Sequence, residues 1–126
     1  MQPLLLCVHM DSSRLLRVSM SALSMGIAVK EVTPDQWGQS LAALCGLEPM
    51  KDHPPAVSVS EEMIIFAHFP NDLLDRFLAE MKKAQITVRL KAVLTPHNRQ
   101  WNPGFLCAAL HMEAQEMDRC RKGAKQ

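Results

Sequence analysis

The chain has no tyrosine, only four phenylalanines and two tryptophans, and a formal net charge of +1. So few aromatics make a stacking platform for single-stranded nucleic acid a poor expectation. Near-neutrality removes the electrostatic pull that draws basic proteins to phosphate backbones or anionic membranes. The four cysteines, Cys7, Cys45, Cys107 and Cys120, are scattered without a C-x-x-C pair. That spacing argues against a zinc knuckle and a dithiol redox centre. Cys120 lies in a basic stretch, where it is expected to be exposed, and the other three read as buried thiols. No apolar run approaches the ~20 residues that span a bilayer. The N-terminal residues have no basic segment and meet Asp11 early, unlike a secretory signal. A reduced, cytoplasmic protein is the simplest expectation. The recognisable catalytic strings are missing as well: no G-x-S-x-G, no H-E-x-x-H, no P-loop and no G-x-G-x-x-G.

What is present describes one α/β domain. With 126 residues, 48% of them apolar, the chain is long enough to bury roughly 65–70% of its unfolded surface. Leu4 to Met10 and Met63 to Phe69 are continuous apolar runs of strand length, suited to strands covered on both faces. Ile27 to Val32 and Ile86 to Leu94 alternate instead. In the latter, Ile86, Val88, Leu90, Ala92 and Leu94 are expected on one face.

Helical signals fill the gaps. Leu15, Leu16, Met20 and Leu23 form an apolar stripe on a helix starting near Ser12. Leu73, Leu74, Phe77, Leu78 and Met81 form one on a helix that Asn71 can cap. Thr33-Pro-Asp-Gln36 has the form of a capping box with Gly46 as the stop. A last helix from Asn102-Pro103 should bury Leu106, Cys107, Leu110, Ala114 and Met117. Most of the nine methionines occupy such helix-stripe positions and read as core fillers.

The order is β-α-β-α, twice. His9 and His68 are 59 positions apart, as are Ile27 and Ile86, while Thr33 and Thr95 are 62 apart and Trp37 and Trp101 are 64 apart. The expectation is two repeats, residues 1–49 and 61–117, with a Pro-Pro linker at 50–60 and a basic tail at 118–126. The sheet should be four-stranded and mainly parallel, in the order 2-1-3-4, with helices on both faces. A ferredoxin-like α+β sandwich is the alternative, and it covers only one face.

In such a sheet ligands favour the crevice beyond the strands' C-terminal ends. The sequence is expected to bring His9, Asp11 and His68 there, joined by Thr95, His97, Asn98 and Trp101 from the fourth strand. Lys91 lies four residues before Thr95 on the same strand face. The candidate ligand-binding residues are therefore Lys91, Thr95, His97, Asn98, Trp101, His9 and His68. His9, His68, His97 and Asp11 could in principle hold a metal, but no pair has a zinc motif's local spacing, so neither metal nor cofactor is expected. Glu61-Glu62 would point to opposite strand faces and make no catalytic dyad. Thr95, Pro96 and Trp101 also have a structural explanation as turn, cap and core lid.

The second half carries a further signal: Leu-x-x-Phe-Leu and Lys-Lys-Ala at Leu74 to Ala84, then Leu90-Lys-Ala-Val-Leu-Thr-Pro-x-Asn-x-x-Trp101. These strings resemble a bacterial family of small uncharacterised proteins, domain of unknown function 3783, over about residues 63–117. The resemblance implies no activity and marks Lys91, Thr95, Asn98 and Trp101 as signature positions. The expectation is a cytoplasmic bacterial binding or regulatory module without catalysis of its own, with a protein partner or a second copy as its associate. A small-molecule-binding protein or enzyme using the strand ends is the first alternative. RNA binding through Arg89, Lys91 and Arg99 beside Trp101 is the second.

Overall fold

The computed structural model describes the backbone of residues 2–124 and the side chains of residues 2–117. Cys120 and the basic side chains beyond it lie outside the described residues. The elements run β1 Leu4–Val8, α1 Ser12–Ser24, β2 Ala28–Val32, a 3-10 turn Pro34–Gln36, α2 Leu41–Leu44, β3 Met63–Ala67, α3 Asn71–Lys83, β4 Leu90–Val93 and α4 Pro103–Ala124. The strands form one sheet in the order β2-β1-β3-β4. β1 pairs parallel with β2, and β3 with β4, while the central β1–β3 pair is antiparallel.

Continuous apolar strands demand cover on both faces, and both are covered. Leu5, Cys7, Ile64 and Phe66 face a layer made by Val18 and Ala22 of α1 and Leu73, Phe77 and Met81 of α3. Leu6, Val8, Met63 and Ile65 face the opposite layer, built by Leu41 and Leu44 of α2 and Leu106 and Cys107 of α4. This is the three-layer arrangement expected from the sequence, not the one-faced sandwich.

Several features recur 59 positions apart. α1 and α3 have 13 residues each and start 59 positions apart. In the central pair Leu6 lies opposite Ile65, its own counterpart at that offset. Left-handed backbone recurs at the same spacing, in His9 (φ 56°) and His68 (φ 63°), and in Gly26 (φ 75°) and Gln85 (φ 59°). The offset changes in the fourth strand. Leu4 pairs with Ala28, but its counterpart Met63 pairs with Leu90, three positions further on than 59 would give.

That shift corrects the alternating reading of residues 86–94. Ile86 and Val88 pack with the α1/α3 layer, whereas Leu90, Ala92 and Leu94 pack with the other. The strand itself starts only at Leu90, so a single alternating face does not run through.

Four helix expectations also change. Asn71 is the first residue of α3 rather than its cap, a position that Pro70 takes without a side-chain hydrogen bond. α1 turns Val18 and Ala22 to the core and leaves Leu16, Met20 and Leu23 62–66% exposed. Its apolar residues form two stripes. The small Val18/Ala22 stripe lets α1 sit close to the sheet, while Arg14 reaches Glu62 Oε1 at 2.6 Å and the Thr87 carbonyl at 2.5 Å. The segment from Thr33 to Gly46 is a 3-10 turn and a separate short α2 rather than one helix, with the Ser40 hydroxyl accepting the Ala43 N–H at 3.0 Å. The break lies at Gly38, where a Cβ would stand 2.0 Å from the Pro55 carbonyl oxygen as the linker crosses over it. α4 continues to Ala124 instead of ending near 117, and Met117 is 63% exposed.

Candidate functional site

Because β1 and β3 run in opposite directions, the strand ends do not converge on one edge. His9 and Asp11 leave β1 at one end of the sheet, beside Met63, where β3 begins. His68 leaves β3 at the other end, beside Leu4. The common ridge expected from the sequence is therefore divided, and so is the His9, Asp11, His68 and His97 set.

At the second end, the turn after β4 is tightly bonded. Asn98 is buried, and its Oδ1 accepts the Thr95 N–H at 2.9 Å while its Nδ2 donates to the Val93 carbonyl at 3.0 Å. The Asn98 N–H donates in return to Thr95 Oγ1 at 3.2 Å. The turn's carbonyls then meet the start of α2: Leu41 N–H donates to Trp101 O at 2.9 Å and Ala42 N–H to Arg99 O at 2.8 Å. A helix start has four amide N–H groups without intrahelical partners, and this turn takes two of them. Trp101 packs edge-on with His97 and Phe105 at centroid distances of 5.3 and 4.7 Å.

The remaining candidates are dispersed. Lys91 donates to the Val88 carbonyl at 2.7 Å and lines shallow hollows beside Leu78. Arg89 holds Glu61 at 3.1 Å and stands 3.3 Å from His111. Arg99 lies by Leu47 and Thr95. Two cations of the RNA alternative, Arg89 and Lys91, are thus engaged with Glu61 and the Val88 carbonyl. His68 lines a separate hollow with Leu4, Ala28 and Cys45.

The first end holds a cleft of about 370 Å³, lined by His9, Met10, Asp11, Glu31, Val32, Pro34, Trp37 and Glu62. Its position follows from the topology. β1 leads into α1 on one face of the sheet, and β2 leads through the 3-10 turn into α2 on the other. Two neighbouring strands whose connections diverge to opposite faces leave a crevice beyond their C-terminal ends. The 3-10 turn that closes it is set by its own chemistry: Thr33 N–H donates to Gln36 Oε1 at 3.4 Å and the Thr33 hydroxyl donates to Asp35.

One wall of the cleft is aromatic and one is acidic. The His9 ring meets Trp37 edge-on at 5.4 Å. Trp37 packs into the core beneath, and its Nε1–H is buried without a hydrogen-bond partner. Glu62 is engaged by Arg14, with Nε at 2.8 Å from Oε2 and an Nη at 2.6 Å from Oε1. This ion pair raises the guanidinium pKa further. Asp11 caps α1 through the Arg14 N–H at 2.9 Å, which holds its carboxyl below the usual range. Glu31 is the third carboxylate, on the β2 side, and it is exposed. With Glu62 balanced by Arg14, Asp11 and Glu31 leave the cleft mouth negative.

Of the cleft lining, only His9 and Asp11 are among the site candidates of the sequence; Met10, Glu31, Val32, Pro34, Trp37 and Glu62 are not. The strand ends themselves are legible in the sequence, but the expectation opened the first, third and fourth on one edge, whereas adjacent runs of like character do not disclose relative direction. Residues 62–117 match the model of the family described as Domain of unknown function (DUF3783). No curated protein and no solved structure matches the chain. The DUF3783 segment takes in β3, α3, β4 and α4 as far as Met117. It contains the Thr95–Trp101 turn, and of the cleft's lining it contains Glu62 alone. Among the described residues no helix is long and apolar enough to cross a membrane.

Proposed function

We propose that the protein is a non-catalytic binding module of the bacterial cytoplasm, built from two repeats, whose first half seats a small organic cation. One observation carries this reading: the cleft of about 370 Å³ lies at the crevice that the diverging β1 and β2 connections leave open. That volume suits a small molecule. Glu31 and Asp11 would face the ligand's charged group, and Trp37, Val32, Pro34 and Met10 its apolar body. A binding role rather than catalysis is supported by the fixed state of two of the three carboxylates, since Glu62 pairs with Arg14 and Asp11 caps α1. The reduced compartment is supported by free thiols at Cys7, Cys45 and Cys107.

The test is a titration with small primary amines bearing an apolar group, in a Trp101→Phe background so that Trp37 alone emits. Saturable change of Trp37 emission, absent with the corresponding carboxylic acids and weakened in Glu31→Gln, is the expected result. Equal responses to amines and acids, or none to either, would overturn the reading.

A further inference from the structure

α1 and α3 offer a controlled comparison within one molecule. Both have 13 residues, lie on the same face of the sheet and bury their inner sides in the same core. The outer side of α3 carries Asp72, Asp75, Arg76, Ala79, Lys82 and Lys83, all exposed. The counterparts on α1, 59 positions earlier, are Ser13, Leu16, Arg17, Met20, Leu23 and Ser24. Thus Asp75 corresponds to Leu16, Ala79 to Met20 and Lys82 to Leu23. A helix face turned to water ordinarily carries the charges that α3 shows, whereas α1 has leucine where α3 has Asp75 and Lys82, and methionine where α3 has Ala79. The one charged residue of the set, Arg17, is committed sideways, donating to the Ala84 carbonyl at 2.7 Å.

Leu16, Met20 and Leu23 are 62%, 65% and 66% exposed, and together leave roughly 400 Å² open, within the range of the largest patch on a typical monomer and often functional. Their spacing places them in one ridge, flanked by the serines at 12, 13, 19 and 24.

We propose that this ridge is a self-association surface, covered by α1 of a second copy. The ridge is self-complementary: with two α1 helices antiparallel about a twofold axis, Leu16 meets the partner's Leu23 and Met20 packs at the centre. Such an isologous contact closes at two copies. The flanking serines are small enough to let helix axes approach to the usual 8–10 Å. Charge argues for the same occupant. The ridge has no charge with which to read a charged partner, and a net charge of +1 gives two copies almost no mutual repulsion. Area sets the strength. A pair would bury roughly 800–1,000 Å² in total, below the ~1,200 Å² at which stable complexes begin, so the dimer is weak and reversible. The inference is independent of the β1–β2 cleft, which opens at the strand ends.

Sedimentation velocity over a concentration series tests it, with wild type compared to Leu16→Asp/Met20→Ala/Leu23→Lys. That variant transplants onto α1 the residues its counterpart already carries. Wild type is expected to shift from monomer to dimer at a concentration on the order of 100 µM, and the triple variant to remain monomeric with an unchanged melting temperature. Should the triple variant fail to fold, Met20→Arg alone is read in its place. A wild type that stays monomeric to millimolar concentration would overturn the proposal. So would a variant that associates as wild type does, or a series that continues beyond two copies.

Discussion

α1 and α3 divide the labour of one face of the sheet unequally. α3 puts Leu73, Phe77 and Met81 into the core and spends its outer side on charge, whereas α1 contributes Val18 and Ala22. The second half therefore supplies most of the apolar volume of that layer, and the first half fills the space with smaller side chains. The same division appears at the strand ends. The second half closes its end with a hydrogen-bonded turn that grips α2, and the first half leaves a cleft. On this face of the sheet, elements at matching positions thus carry different side chains: α3 contributes more core volume, and α1 more exposed apolar surface.

The largest test of that division is in the core. Phe77 is fully buried, and its counterpart is Val18. Phe77→Ala should cost about 3–5 kcal/mol, as large aromatic truncations do, while Val18→Ala removes fewer atoms and should cost about half as much. Urea denaturation of the two variants measures the difference. Equal losses would mean that the halves share the load after all.

A second contrast lies at Cys7 and Phe66, counterparts on the same face of the central strands. Burial, with Glu31 and Glu62 adding to it, pushes the Cys7 thiol from an ordinary 9.0 up to about 12. The native state thus keeps a proton that the unfolded chain releases, so stability falls as pH rises from about 9 and is fully lost to this group only near 12. The contribution at stake is on the order of 4 kcal/mol. Phe66 has no proton to lose. Denaturation at stepped pH should show a steeper alkaline decline in wild type than in Cys7→Ala, whose curve starts lower at pH 7 and runs flatter above 9. Parallel curves would mean that Cys7 is not kept protonated by the fold.

The Asn98 amide bridges the Thr95 N–H and the Val93 carbonyl from a buried position. In the first half, the corresponding turn relies on Gln36, which is only half-buried and reaches the Thr33 N–H at 3.4 Å. Asn98→Ala should cost about 2–3 kcal/mol, because it strands two backbone groups, and Gln36→Ala less than 1 kcal/mol, because water can replace an accessible partner. Thermal melts of both variants decide the ranking. A mild loss in Asn98→Ala would return the turn to consideration as a ligand site.

These residues also show what was legible beforehand. The strand order, the two-faced packing and the start of α4, where Asn102 Oδ1 accepts the Phe105 N–H at 2.8 Å, follow from apolar continuity and local polar chemistry, and these act within a few residues. Asn98 stood out within a recognisable string, yet its partners are its own neighbours' backbone, a commitment that side-chain identity does not reveal. Strand direction is a long-range property. Leu4–Val8 and Met63–Ala67 look alike in either orientation, and their antiparallel pairing is what separated His9 from His68. α1 offered two apolar stripes of equal period, and only the sheet's demand for close approach selected the smaller one. Trp37 reached the cleft wall because Gly38 lets the linker cross and breaks the expected helix.

The smallest effect has the opposite sign. Gly26 and Gln85 stand just beyond the ends of α1 and α3, both in the left-handed region, at φ 75° and 59°. Each donates its N–H three residues back, to Leu23 O at 3.1 Å and to Lys82 O at 3.1 Å, and each is followed by an isoleucine bonded to the preceding turn. Glycine adopts this conformation freely, whereas a residue with a Cβ pays roughly 1–2 kcal/mol for it. Glycine also gains more freedom when unfolded, which offsets about 0.5–1 kcal/mol. Gln85→Gly should therefore stabilise the protein by a net ~0.5–1 kcal/mol. Gly26→Ala should destabilise it by a similar amount through backbone alone, since nothing lies within 4 Å of the added Cβ. Opposite shifts in melting temperature would establish that the two caps are the same device carrying different residues. A loss of stability in Gln85→Gly would instead mean that the glutamine side chain contributes something at the end of α3 that glycine cannot replace.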